Sequence, residues 1–117
     1  MRYGLIGEKL GHSYSKIIHE MLADYRYELI PLSREEFELF MTKKDFTAIN
    51  VTIPYKKAVI PYLNKLHPLA ARIGAVNTIV NHAGSLIGYN TDFFGFEYMI
   101  RKNGIDVSGK KCLILGN

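Results

Sequence analysis

The sequence predicts an α/β fold: a three-layer sandwich around a mostly parallel mixed sheet. Three observations carry this. Short aliphatic and β-branched runs alternate with stretches of helical periodicity. Of the 117 residues, 48% are hydrophobic and 22% charged, which supports a core and excludes a disordered or collagen-like chain. Residues 76–89 hold two strand-like runs around a tight turn, so at least one strand is antiparallel.

Arg2 to Gly7 reads as the first strand, with Tyr3, Leu5 and Ile6 among glycines. Gly11-His12-Ser13-Tyr14-Ser15 is a turn carrying two hydroxyls. The helix after it sets Ile17, Ile18, Met21 and Leu22 on one stripe. Tyr25 to Pro31 alternates apolar and polar residues, as a half-buried strand does. Ser33, with Glu36 three positions later, forms a capping box for a second helix. Phe37, Phe40 and Met41 give that helix its apolar face. Phe46 to Val51 is a third strand, stopped by Pro54. Lys56 to Leu63 and His67 to Ile73 each predict a short helix. Val76 to Asn81 and Ser85 to Tyr89 predict a hairpin through His82-Ala83-Gly84. Thr91 or Asp92 starts a longer helix with Phe93, Phe96 and Ile100 on one face. Arg101, Lys102 and Gly104 end it. Ile105 to Gly109 reads as a linker, and Lys111 to Leu115 as a new strand ending at Gly116-Asn117. Cys112-Leu113-Ile114-Leu115 is apolar on both faces, the pattern of a strand covered from both sides. Left uncovered, such a strand recruits other chains, so self-association through it is expected.

Composition narrows the function classes. The net charge of +4 comes from lysine pairs, Lys43-Lys44, Lys56-Lys57 and Lys110-Lys111, and not from one basic block. With no zinc finger or RNA-binding aromatic motif, nucleic acid is not the expected partner. A mild positive field suits a small anionic ligand. The single cysteine, Cys112, excludes a disulfide framework and a Cys-rich zinc site, and is expected to be an inert core residue. His12, His19, His67 and His82 lack ligand-like spacing, so no metal is expected and all four read as structural or surface residues. No apolar run is long enough for a membrane helix, and no leader pattern precedes the first strand, so a cytoplasmic location is expected.

Polar residues gather where strands end: Ser13 and Ser15 after the first, Asn50, Thr52 and Lys56 after the third. Asn77 and Thr78 lie in the fourth, and Asn90, Thr91 and Asp92 follow the fifth. Ligands of open α/β sheets bind beyond the carboxyl ends of strands, so these segments can converge on one crevice. Two hydroxyls at a helix start can either cap it or bind an anion on the open N–H groups. Lys56 by itself reads as a solvated lysine, and so does its neighbour Lys57; Asp92 by itself reads as a helix cap. Asn50, Thr52 and Asn77 read as turn and strand-end residues, or as groups that donate to and accept from a polyol. Tyr55 reads as a packing residue.

Four segments together resemble the substrate-binding domain of shikimate dehydrogenase. They are Gly11-His12-Ser13-Tyr14-Ser15, Asn50-Val51-Thr52-Ile53-Pro54-Tyr55-Lys56, Gly74-Ala75-Val76-Asn77-Thr78 and Gly88-Tyr89-Asn90-Thr91-Asp92. The resemblance covers residues 1–104. It implies a substrate domain there, and in 105–117 a linker and the first strand of a truncated Rossmann NADP-binding domain. It implies that Ser13 and Ser15 hold the carboxylate of shikimate. Asn50, Thr52 and Asn77 would bind the ring hydroxyls. Lys56 and Asp92 would form the pair that exchanges a proton with the reacting oxygen, and which of them carries it stays open. Lys16 departs from the family, which usually has proline there, and only a local change is expected. The implied activity is NADP-dependent reduction of 3-dehydroshikimate to shikimate, in aromatic amino-acid biosynthesis. A dinucleotide site needs a strand, a Gly-rich turn and a helix, about 30 residues or more. The chain supplies only the strand, so no cofactor and no activity are expected of it alone. Two alternatives stay open: a quinate/shikimate dehydrogenase domain working with NAD or NADP, and a non-catalytic module that binds small acids.

Overall fold

The computed structural model describes residues 1–116. Strands β1 (Tyr3–Gly7), β2 (Tyr27–Pro31), β3 (Ala48–Val51), β4 (Lys65–Leu66), β5 (Thr78–His82) and β6 (Ser85–Tyr89) form one sheet in the order β2-β1-β3-β5-β6-β4. The β1–β2, β1–β3 and β4–β6 pairs are parallel, while β3–β5 and β5–β6 are antiparallel. The mixed, mostly parallel sheet expected from the sequence is therefore present. Helices α1 (Ser15–Leu22), α2 (Arg34–Lys43), α3 (Pro68–Ile73) and α4 (Asp92–Lys102) complete the fold.

The pleat divides the core between the two faces of the sheet. On one face Ile6, Ile30, Ile49, Ile79 and Leu86 bury against Phe37 and Met41 of α2 and Ala70 of α3. On the other, Leu5 and Tyr27 pack with Leu10 in a smaller cluster, beneath α1. Asn50 and Thr78 stand on this second face, paired in register with Leu5 and with each other.

Local signals hold where chemistry forces them. Ser33 accepts from Glu36 N while Glu36 reaches back to Ser33 N at 2.8 Å, completing the capping box of α2. His67 caps α3 by accepting from Leu69 N at 3.2 Å. Tyr55 packs as expected, stacked on Phe37 at 4.2 Å, with its hydroxyl donating to the Leu32 carbonyl at 2.6 Å.

Three expectations need correction. Residues 56–63 form turns and a single 3-10 turn, Ile60–Tyr62, in place of a helix. Pro61 sits in that turn without an N–H to continue it. Lys65–Leu66 then adds a short edge strand beside β6 that periodicity could not show in two residues. The strand expected at Lys111 to Leu115 is absent: 111–116 takes no regular structure, and Leu113, Ile114 and Leu115 are 85–87% exposed. Cys112, expected in a core, is exposed and unpaired. A both-faces-buried strand needs neighbours on each side, and this segment meets none among the described residues. Asn117, the last residue of that expected strand end, lies outside them.

Candidate functional site

The loops leaving β1 and β3, the approach to β5 and the start of α4 enclose an open cleft of about 490 Å³. Ser13 and Ser15 line it from the turn after β1, and Asn50 and Thr52 from the end of β3. Asn77 reaches it from just before β5, and Lys56 and Asp92 complete it. The structure thus brings the seven residues given a site role to one cleft, while Thr78, Asn90 and Thr91 do not line it.

The glycine that ends β1 makes this approach possible. A Cβ on Gly7 would lie 2.6 Å from Thr52 Cγ2 and 2.8 Å from Leu10 Cδ2. Only glycine lets the loop after β1 and the segment after β3 close on each other here. Thr52 N donates to Ile6 O at 2.9 Å and fixes the crossing, and the Ile53–Pro54 peptide that follows is cis.

The serine turn is arranged for an anion. Ser15 N donates to Ser13 Oγ at 3.2 Å, which leaves the Ser13 O–H free to donate elsewhere. No side chain caps α1 at Tyr14, and of its first-turn N–H groups those of Lys16 and Ile17 remain open. Lys16 turns away from this place: its Nζ donates to Glu20 Oε1 at 2.6 Å and to the Tyr27 carbonyl at 2.8 Å. The Lys16–Glu20 pair and a bond from Tyr27 N hold the Glu20 carboxyl below the usual carboxylate range. The lysine therefore ties α1 to β2 and leaves the serines undisturbed.

Lys56 Nζ donates to Asp92 Oδ2 at 2.7 Å across the cleft, with the carboxylate more exposed than the ammonium. Asp92 is available because another residue caps α4. Thr91, at the cap position, makes no side-chain cap bond, and Asn90 Oδ1 accepts from Phe93 N at 3.2 Å instead. Buried Asn77 accepts from Thr91 N and donates to Thr91 Oγ1, both at 2.8 Å, which pins the start of α4 beside β5.

Sequence reasoning missed part of the lining. Lys9, Leu10, His12 and His19 also border the cleft. His12 and His19 were expected to be structural or surface residues; as free-standing histidines they carry no spacing signal. His19 stacks on Tyr27 at 4.1 Å, and its Nδ1 hydrogen-bonds the Tyr25 hydroxyl. Two lysines, Lys9 and Lys56, against one carboxylate, Asp92, give the cleft a positive bias. Among the described residues no group of three or more His, Cys, Asp or Glu side chains is placed to hold a metal. None of their helices is long and apolar enough to cross a membrane. Nor do they form the strand, Gly-rich turn and helix N-terminus that seat a dinucleotide, since 111–116 is irregular.

Comparison with known proteins agrees with this arrangement. The family model described as "Shikimate dehydrogenase substrate binding domain" matches residues 5–79. The shikimate dehydrogenase (NADP(+)) of Halothermothrix orenii is 43% identical over 97% of this chain and 42% of its own. The crystal structure of shikimate dehydrogenase 1 from Peptoclostridium difficile superposes with a TM-score of 0.93 at 40% identity, covering 100% of this chain and 47% of that one. Shikimate 5-dehydrogenase from Thermus thermophilus in complex with NADP(H) and shikimate gives 0.81 at 31% identity, over 92% and 44%. An α/β sheet with an open polar cleft beyond its strand ends is the architecture of a ligand-binding domain, and the chain belongs to the shikimate dehydrogenase substrate-binding domain family. It spans about 42% of the Halothermothrix relative's length.

Proposed function

We propose that residues 1–104 are the substrate domain of a shikimate dehydrogenase, which interconverts 3-dehydroshikimate and shikimate with NADP. Residues 105–117 are the linker and opening of its dinucleotide-binding domain. Ser13 and Ser15 hold the carboxylate with the open N–H groups of α1. Asn50, Thr52 and Asn77 meet the ring hydroxyls through their amide and hydroxyl groups. Lys56 and Asp92 hold the proton exchanged with the oxygen at the reacting carbon. Asp92 orients the ammonium, and the ammonium faces that oxygen. The observation that carries this reading is the 2.7 Å Lys56–Asp92 pair in the same cleft as the serine turn. Hydride transfer is assigned to none of the described residues.

Shikimate titrated into the chain and followed by amide NMR tests the reading. Resonances of Ser13, Ser15, Asn50 and Lys56 shift together. Affinity is weak, about 1 mM or poorer, because the cleft is open and several polar contacts of about 0.5–1.5 kcal/mol each are unmade. Unmoved cleft resonances at tens of millimolar shikimate overturn the assignment.

A further inference from the structure

We propose that Tyr27 is a positioning residue of this cleft: its buried hydroxyl fixes the Asn50 carboxamide so that the ligand meets the Oδ1 acceptor. Tyr27 lies on β2, outside the segments that carry the family resemblance, and is 2% exposed. A phenol this buried needs a partner for its hydroxyl. It donates to Asn50 Oδ1 at 2.7 Å. The other side of the amide settles the orientation. Asn50 Nδ2 faces the Asn77 carbonyl at 3.4 Å, a group that can only accept, and Thr78 Oγ1 at 3.1 Å. Both amide hydrogens are thereby directed within the protein. Oδ1 keeps one lone pair, and Asn50 lines the cleft.

The polarity continues from there. Thr78 Oγ1 donates to Asn77 Oδ1 at 3.1 Å, and Asn77 Nδ2 donates to Thr91 Oγ1 at 2.8 Å. Tyr27 is the first donor of a directed chain that runs from β2 through β3 and β5 to the residue before Asp92. The phenol is itself held from several sides. His19 stacks on its ring, Glu20 accepts from its N–H at 3.1 Å, and Lys16 donates to its carbonyl. Burial raises its pKa above the ordinary tyrosine range, with Tyr25 adding to the rise and the nearby Ser15 side chain opposing it. The hydroxyl therefore stays protonated as a donor at neutral pH. An acceptor at Asn50 selects a ligand that presents a hydroxyl donor there.

The inference rests on the proposed shikimate reading, and Tyr27→Phe separates the two. The variant keeps the ring and the stack and removes only the donor. Its Asn50 side-chain NH2 resonances move, and shikimate binds about tenfold more weakly. Tyr62→Phe, which removes a hydroxyl from the cluster on the opposite face of the sheet, changes neither. Asn50 resonances that stay in place in Tyr27→Phe, or an affinity within twofold of the unmodified chain, overturn the inference. If shikimate does not bind the unmodified chain, the substrate reading falls, and the Asn50 resonances alone decide the positioning. If Tyr27→Phe does not fold, the Tyr27 hydroxyl proton in the unmodified chain decides: protection from exchange supports the bond, and rapid exchange overturns it.

Discussion

Asp92 and Tyr55 show how the neighbours of a side chain decide what it does. An aspartate that opens a helix ordinarily caps it, yet Asn90 takes the cap and Asp92 turns to Lys56. In a dehydrogenase built on this chain, Lys56→Ala lowers turnover by about a hundredfold or more, the scale of losing a general acid–base group. The Michaelis constant changes far less. Steady-state kinetics check this, and an unchanged turnover with a raised Michaelis constant would make Lys56 a binding residue only. Tyr55 is the structural counterpart. Burial raises its pKa, the Glu8 charge adds to this, and Arg34 opposes it. Its unfolded value is about 10. Above that pH the unfolded chain releases a proton that the folded chain keeps, so stability falls as pH rises toward the folded value. The contribution is complete below pH about 10. Tyr55→Phe leaves the buried Leu32 carbonyl without its donor, which costs about 1–3 kcal/mol at neutral pH. The same variant loses less stability on the alkaline side, as melts across that range show. An equal alkaline loss would place the titrating group elsewhere. The candidate residues were legible because each is a polar type at a strand end. Tyr27 and His19 were not: one reads as an alternating strand residue and the other as part of an amphipathic helix.

Elements were legible wherever one short-range rule governs them. The Ser33–Glu36 box, the Gly84 hairpin and the Gly104 stop need only near neighbours, and all three stand. Residues 56–63 failed because the segment is tied down at both ends: Lys56 O accepts from Val76 N, and Asn64 N, just past it, donates to Leu86 O, both at 2.8 Å. Tertiary pairing there outweighs helical periodicity. Gly7 belongs to the same scale, since its missing side chain sets the spacing between β1's exit and β3's. Gly7→Ala forces Thr52 and Leu10 apart and destabilises the chain by about 1–3 kcal/mol, the usual result of overpacking. Each kcal/mol lowers the melting temperature by roughly 4–8 °C in a domain of this size. Shikimate affinity falls with it, because Thr52 lines the cleft. A variant that melts normally but binds poorly would show that the fold yields and only the site is displaced. A variant with normal melting and normal affinity would refute the spacing argument.

Across the whole molecule, apolar surface is unevenly covered. The central strands bury their core face, while Met21 and Leu22 on α1, Phe96 and Tyr98 on α4, and Leu113 to Leu115 remain exposed. The sheet's own edges are poor acceptors for an added strand. β4 has two residues. On β2, Glu20 and Lys16 occupy the Tyr27 N–H and carbonyl, and Pro31 has no N–H to offer. A second copy therefore finds little backbone to extend, and the partner most available to the 111–115 segment is the same segment of another chain. Burying aliphatic side chains yields about 1.5–3 kcal/mol each, against about 1–2 kcal/mol per residue to order the backbone. The two nearly balance, so any association through this segment is expected to be weak and concentration-dependent. Deleting residues 110–117 then returns the chain to monomer in light scattering at concentrations where the unmodified chain associates. Association that survives the deletion would locate the contact on the exposed faces of α1 or α4, and Phe96→Ser would separate those two.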